Sequence, residues 1–245
     1  MSLALLTQYS FLITFIAFIA ATFYFVLERD SLPMEFRSTA TLAACYLGIG
    51  AINYFMMLGY VPRDGAFDTL VKFPTELRYV DWLLTTPLML IKFPSLLGAA
   101  SNRMLLVLLI IADVIMIVTG YAAEIILRRG GSANESWAFF LIGCLAFLFI
   151  LYLLYSVVSS AQEDSLGPIS DGLDAMKKFI LIGWSVYPVL FILIMLSNTP
   201  EMKVWRELLF NVADAVNKIG LAVIAVSAAR GVARDREIKD AMARL

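Results

Sequence analysis

Near its C-terminal end the chain reads Asn211-Val212-Ala213-Asp214-Ala215-Val216-Asn217-Lys218. An aspartate and a lysine four residues apart share one face of a helix. The segment around them is apolar, and an amine deep in an apolar segment is costly unless it is paired or covalently modified. Two chemistries satisfy that demand. Asp214 and Lys218 could form a structural ion pair. Alternatively, Lys218 could condense with an aldehyde to form an imine, with Asp214 balancing the positive charge.

A second apolar segment reads Arg78-Tyr79-Val80-Asp81-Trp82-Leu83-Leu84-Thr85-Thr86-Pro87-Leu88-Met89-Leu90-Ile91-Lys92. At about 100° per residue, Asp81, Thr85 and Lys92 fall on nearly one helical face, with Asp81 and Lys92 about 16 Å apart along the axis. An ionisable group on either side of a buried imine is the arrangement a proton relay needs: one group accepts a proton and the other replaces it from the opposite side. The plainer reading of Lys92 is an amine near the end of its segment, snorkelling to the interface.

The elements that must hold these groups are membrane spans. The chain of 245 residues is 61% hydrophobic and only 16% charged, with a mean hydropathy of +0.83. That leaves too little polar surface to cover a water-soluble protein of this size. Seven apolar stretches are candidates to cross a bilayer: Tyr9–Leu27, Thr39–Tyr60, Tyr79–Ile91, Met104–Leu127, Trp137–Val158, Phe179–Ser197 and Leu208–Ala229. The third is long enough only if Glu76, Arg78 and Asp81 lie inside it. Backbone groups in lipid must be paired within the segment, so the predicted fold is an all-α bundle of seven transmembrane helices. It forms one membrane domain over residues 1–245 with a short C-terminal tail at 230–245. The first stretch lacks a basic leader and a small-residue cleavage site, and is read as a retained span. Polar loops are expected at Glu28–Arg37, Pro62–Thr75, Ser101–Arg103, Arg128–Ser136, Gln162–Lys178 and Asn198–Arg206. Roughly eleven basic residues fall on the side of the C-terminus and roughly seven on the other, which predicts a cytoplasmic C-terminus and an external N-terminus.

Composition also excludes. A net charge of −1 with no basic block gives no nucleic-acid footprint. The absence of histidine removes the commonest metal ligand and general base, so no metal site and no enzyme reaction is expected. Cys45 and Cys144 lie in apolar runs and are read as buried packing residues.

Arg-Tyr-x-Asp-Trp-x-x-Thr-Thr-Pro at 78–87, Trp184-x-x-Tyr187-Pro188, Asp214-x-x-x-Lys218, and Ala112-Asp113-Val114-Ile115-Met116 with Gly120 together resemble the microbial rhodopsins. Within that family the chain is most similar to proteorhodopsin-like pumps with lysine at the cytoplasmic donor position. The resemblance implies all-trans-retinal on Lys218 as a Schiff base, and a light-driven outward proton pump in the inner membrane of a bacterial cell. It implies Asp81 as counterion and proton acceptor, Asp214 as second counterion, Lys92 as proton donor, Thr85 hydrogen-bonded to Asp81, and Arg78 on the exit side. Trp82, Thr86, Met89, Met116, Gly120, Trp184, Tyr187, Pro188 and Phe191 would line the chromophore, although aromatic residues also simply pack cores. Met89, at the colour-tuning position, is apolar and goes with green absorption.

The same resemblance places Asn53 where relatives carry a histidine that pairs with the acceptor, so a simpler acid colour transition is expected. Pro200 and Arg206 stand where archaeal pumps carry release glutamates, and Asp113 is expected to be a buried, hydrogen-bonded structural residue. Phe140 occupies the place of a glycine in carotenoid-carrying relatives, so no carotenoid antenna is expected. Beyond retinal, the expected partners are the lipid bilayer and further copies of the chain in a homo-oligomer. The alternative function is a sensory photoreceptor signalling to a partner protein; Lys92 favours the pump. Chloride pumps lack an acid at the Asp81 position, and sodium pumps carry Asn and Asp at the positions of Asp81 and Thr85.

Overall fold

The computed structural model describes residues 2–62, 66–98, 103–163 and 165–243. Parts of the expected loops at Pro62–Thr75, Ser101–Arg103 and Gln162–Lys178, and the end of the tail, lie outside the described residues.

Seven helices are long and apolar enough to cross a membrane. They run over Leu3–Glu28, Arg37–Leu58, Glu76–Leu97, Arg103–Arg128, Ala133–Tyr152 with its continuation to Gln162, Gly167–Leu196, and Pro200–Ala243. The first begins under a cap in which the Ser2 hydroxyl accepts from the Leu5 amide at 3.3 Å. At 26 residues it is about 39 Å long, enough to cross the roughly 30 Å hydrocarbon layer. The third span does take in Glu76, Arg78 and Asp81, as its length demanded. Pro87, Pro94 and Pro188 sit inside helices, where each withholds one backbone donor. In the fifth span, Leu153–Val158 widens into a π-helical stretch.

Consecutive spans pack side by side, and the first closes the ring against the seventh, while the third also touches the sixth and seventh. The third span therefore lies inside the bundle, where Asp81 and Lys92 are fully buried. The sixth and seventh approach closely: a Cβ at Gly183 would collide with the Asn217 side chain, and one at Gly220 would collide with the Phe179 ring. Only glycine lets the wall behind Lys218 close this tightly.

Several boundaries differ from the sequence reading: the first helix begins at Leu3 rather than Tyr9, and the sixth begins at Gly167, so most of the loop expected at Gln162–Lys178 is helical. The seventh helix begins at Pro200, so the stretch from Glu201 to Arg206 is helical rather than loop. The same helix runs without a break to Ala243, so the described part of the tail continues the span. Arg230 of this extension pairs with Glu28 and donates to the Tyr24 hydroxyl at 3.0 Å, and Arg236 pairs with Glu35 at 2.7 Å.

The cysteine expectation needs correcting. Cys45 is exposed on the outer face of the second helix, and Cys144 is partly buried. A thiol behaves as a small apolar group, so the hydrophobic run that contains it does not say whether it faces protein or lipid.

Candidate functional site

Five spans line a cavity holding about 950 Å³ of space not filled by atoms, its mouth included. Volumes of this order suit a cofactor-sized molecule. The third span contributes Trp82, Thr86 and Met89; the fourth, Met116 and Gly120; the sixth, Trp184, Tyr187, Pro188 and Phe191. Every residue expected to line a chromophore does line this cavity, and so do Lys218 and Asp214. Phe140 and Cys144 add to the lining from the fifth span. The Phe140 ring stacks on Phe191 at 4.6 Å and 12°.

The Lys218 amine is buried, donates to Asp81 Oδ2, and lies 3.8 Å from Asp214 Oδ2. The two carboxylates differ in what else holds them. Asp214 accepts from the Tyr54 hydroxyl at 2.8 Å, the Tyr187 hydroxyl at 2.7 Å and the Trp82 indole N–H at 3.0 Å. Asp81 Oδ1 has no hydrogen-bond partner among the described residues. Among the described residues, Asp81 therefore keeps one carboxylate oxygen free beside the amine, whereas three neutral donors already hold Asp214.

Thr85 is a correction. Its hydroxyl donates to the Asp81 backbone carbonyl at 2.8 Å, not to the carboxylate. A threonine inside a helix reaches the carbonyl four residues back, and that local bond wins here. Asn53 is buried but donates to the Ile49 carbonyl at 3.1 Å, and the second helix presents Gly50 to Asp81 instead. Asp113 is buried as expected, with one carboxyl oxygen 2.8 Å from the Thr86 hydroxyl.

Lys92 does not snorkel. It is fully buried, its amine has no hydrogen-bond partner among the described residues, and it lies 4.9 Å from the centre of the Tyr46 ring.

On the other side of Asp81 lies a buried ionic chain that the sequence reading missed. Arg78 donates to Glu207 at 2.8 Å and to Asn211 at 2.7 Å, and stands 3.9 Å from Asp214. Arg206 donates to Glu207 at 2.8 Å and to Glu124 at 2.7 Å. Tyr79 donates to Glu124 at 3.2 Å. Each carboxylate in this chain has a guanidinium partner, which is what makes burial of so many charges tolerable. A signal was present: Glu207, Asn211, Asp214 and Lys218 recur at helical spacing along one stripe of the last span.

The chain is matched over residues 5–232 by the family model for bacteriorhodopsin-like proteins. It is 31% identical over 221 residues to a green-light absorbing proteorhodopsin of a gamma-proteobacterium, covering 89% of this chain and 84% of the relative. It is 33% identical over 201 residues to sensory rhodopsin-2 of Haloarcula vallismortis, covering 80% of this chain and 79% of that one. Among solved structures it is similar to the Exiguobacterium sibiricum rhodopsin, at 45% identity and a TM-score of 0.89, over 94% of this chain and 98% of that chain.

Proposed function

Because the chain belongs to the bacteriorhodopsin-like family of microbial rhodopsins, we propose that it is a light-driven outward proton pump carrying all-trans-retinal on Lys218. The observation that carries this reading is a buried Lys218 amine touching the Asp81 carboxylate, with a second buried amine, Lys92, further along the same span as Asp81.

Retinal, joined to Lys218 Nζ as an imine, supplies light absorption and a change of shape at that nitrogen. The fit of the cavity supports it: apolar and aromatic side chains wall the space, and Lys218 is the one lysine among the described lining residues. Trp82 and Trp184 would hold the polyene in place, and Met89 supplies the apolar contact that goes with green absorption.

The protein's own residues move the proton. Asp81 accepts it from Lys218 Nζ through the contact already formed, using a carboxylate that no other donor among the described residues occupies. Asp214, anchored by Tyr54, Tyr187 and Trp82, stays a fixed negative charge beside the nitrogen. Arg78 holds Asp214 on the exit side and is itself anchored by Glu207. Lys92 takes a proton from the cytoplasm and returns it to Lys218 Nζ. Burial disfavours a charged amine, so Lys92 serves as a transient carrier rather than a store.

The same reading places the N-terminus outside a bacterial inner membrane and the C-terminus in the cytoplasm, in a homo-oligomer. The Phe140 ring, stacked on Phe191, occupies the wall where an antenna pigment would have to approach, so retinal is proposed as the only pigment.

A sensor would share the cavity, and similarity to a sensory rhodopsin keeps that reading open to test. The discriminating residue is Lys92, because a reprotonating group serves rapid turnover. Illuminated cells expressing the protein with retinal should acidify their medium, and a protonophore should abolish the signal. Unchanged pH in light would defeat the pump reading. Lys92→Ala should slow return of the proton to Lys218 by about 100-fold, the scale of losing a positioned acid, as followed by flash absorption.

A further inference from the structure

We infer that Tyr46 is a positioning residue for Lys92, its ring holding the amine in the charged form while its hydroxyl fixes that ring against Lys218. This rests on the reading of Lys92 as the group that returns the proton.

Three observations meet at one side chain. The Lys92 amine is fully buried and has no hydrogen-bond acceptor among the described residues. The face of Tyr46 lies 4.9 Å from that amine. The Tyr46 hydroxyl, also fully buried, donates to the backbone carbonyl of Lys218 at 2.9 Å. Tyr46 stands on the second span, Lys92 on the third and Lys218 on the seventh, so a single residue touches both lysines.

The chemistry follows from what an aromatic face does. Its quadrupole attracts a cation, with little hold on a neutral amine. The ring therefore acts only after Lys92 has taken up a proton, when a charge has appeared in an otherwise apolar place. A carboxylate partner would stabilise that charge more, but it would also compete for the proton. A ring offers no basic atom, so the proton stays on Lys92 until Lys218 takes it. The hydroxyl bond to the Lys218 carbonyl keeps the ring from tilting away and ties the amine's position to the residue it must serve.

The test compares Tyr46→Leu, Tyr46→Phe and Lys92→Ala with wild type in the full-length protein, using two measurements. The first is flash-induced return of the visible band in retinal-loaded protein. Tyr46→Leu should slow it by about tenfold, and Tyr46→Phe, which keeps the ring, by no more than about threefold. The second is the NMR signal of the Lys92 side chain in lysine-labelled protein without retinal, assigned by its loss in Lys92→Ala. Ring-current displacement should be present in wild type and Tyr46→Phe and absent in Tyr46→Leu.

Return at the wild-type rate in Tyr46→Leu, with Lys92→Ala slow, overturns the inference and leaves the proposed function standing. Equal slowing in both Tyr46 variants overturns it as well, because the hydroxyl and not the ring would then carry the effect. An undisplaced Lys92 signal in wild type does the same. Return at the wild-type rate in Lys92→Ala removes the donor reading itself, and this inference with it.

Discussion

Cells carrying Lys218→Ala should not acidify their medium in light, and the protein purified from them after growth with retinal should be colourless. Among the described residues lining the cavity, Lys218 is the only lysine, so no second amine can take its place. The substitution also leaves Asp81 and Asp214 without the cation between them, a loss of about 3–5 kcal/mol for a broken buried pair. Circular dichroism therefore belongs beside the spectrum, since an intact helix signal separates lost attachment from lost folding. Borohydride reduction under light should leave a retinyl adduct on the seventh span of wild type and none on the variant. A coloured Lys218→Ala protein would end the retinal reading.

The second large effect is expected from Asp81→Asn. Here the pigment should still form, because Lys218 and the cavity walls are untouched. Light-driven acidification should fall to about one-hundredth of wild type or less, the scale of removing a positioned proton acceptor. The structure supplies the reason. Asp81 is the carboxylate in direct contact with the Lys218 amine, and its other oxygen has no partner among the described residues. Asp214 cannot stand in readily, because three neutral donors already hold it. Recording medium pH from cells with matched pigment content measures this directly. Undiminished pumping would move the acceptor role elsewhere.

The fold was legible because seven apolar runs leave few alternatives to a helical bundle. The heart of the site was legible too, since Asp214 and Lys218, and Asp81 and Lys92, obey helical spacing within their own spans. Other features depended on distant partners. Arg206 and Glu207 looked like the edge of a loop while the seventh span was begun at Leu208, and Glu124 was one acid in a long apolar run. Pairing among Glu124, Arg206 and Glu207 joins the fourth span to the seventh, and no local pattern reports it. Tyr46 and Tyr54 were two rings among many until the packing aimed their hydroxyls at Lys218 and Asp214. Thr85 shows the opposite limit: its hydroxyl was assigned to the Asp81 carboxylate when the backbone carbonyl of that same residue, one helical turn back, is the acceptor.

The last helix spans 44 residues, about 66 Å, roughly twice the thickness of the oily layer it crosses. Such a rod has little slack. A fluorophore on Met242 would sit about 36 Å along the same shaft from residue 218, so a twist at the pigment would reach it as torque instead of being lost in a floppy tether.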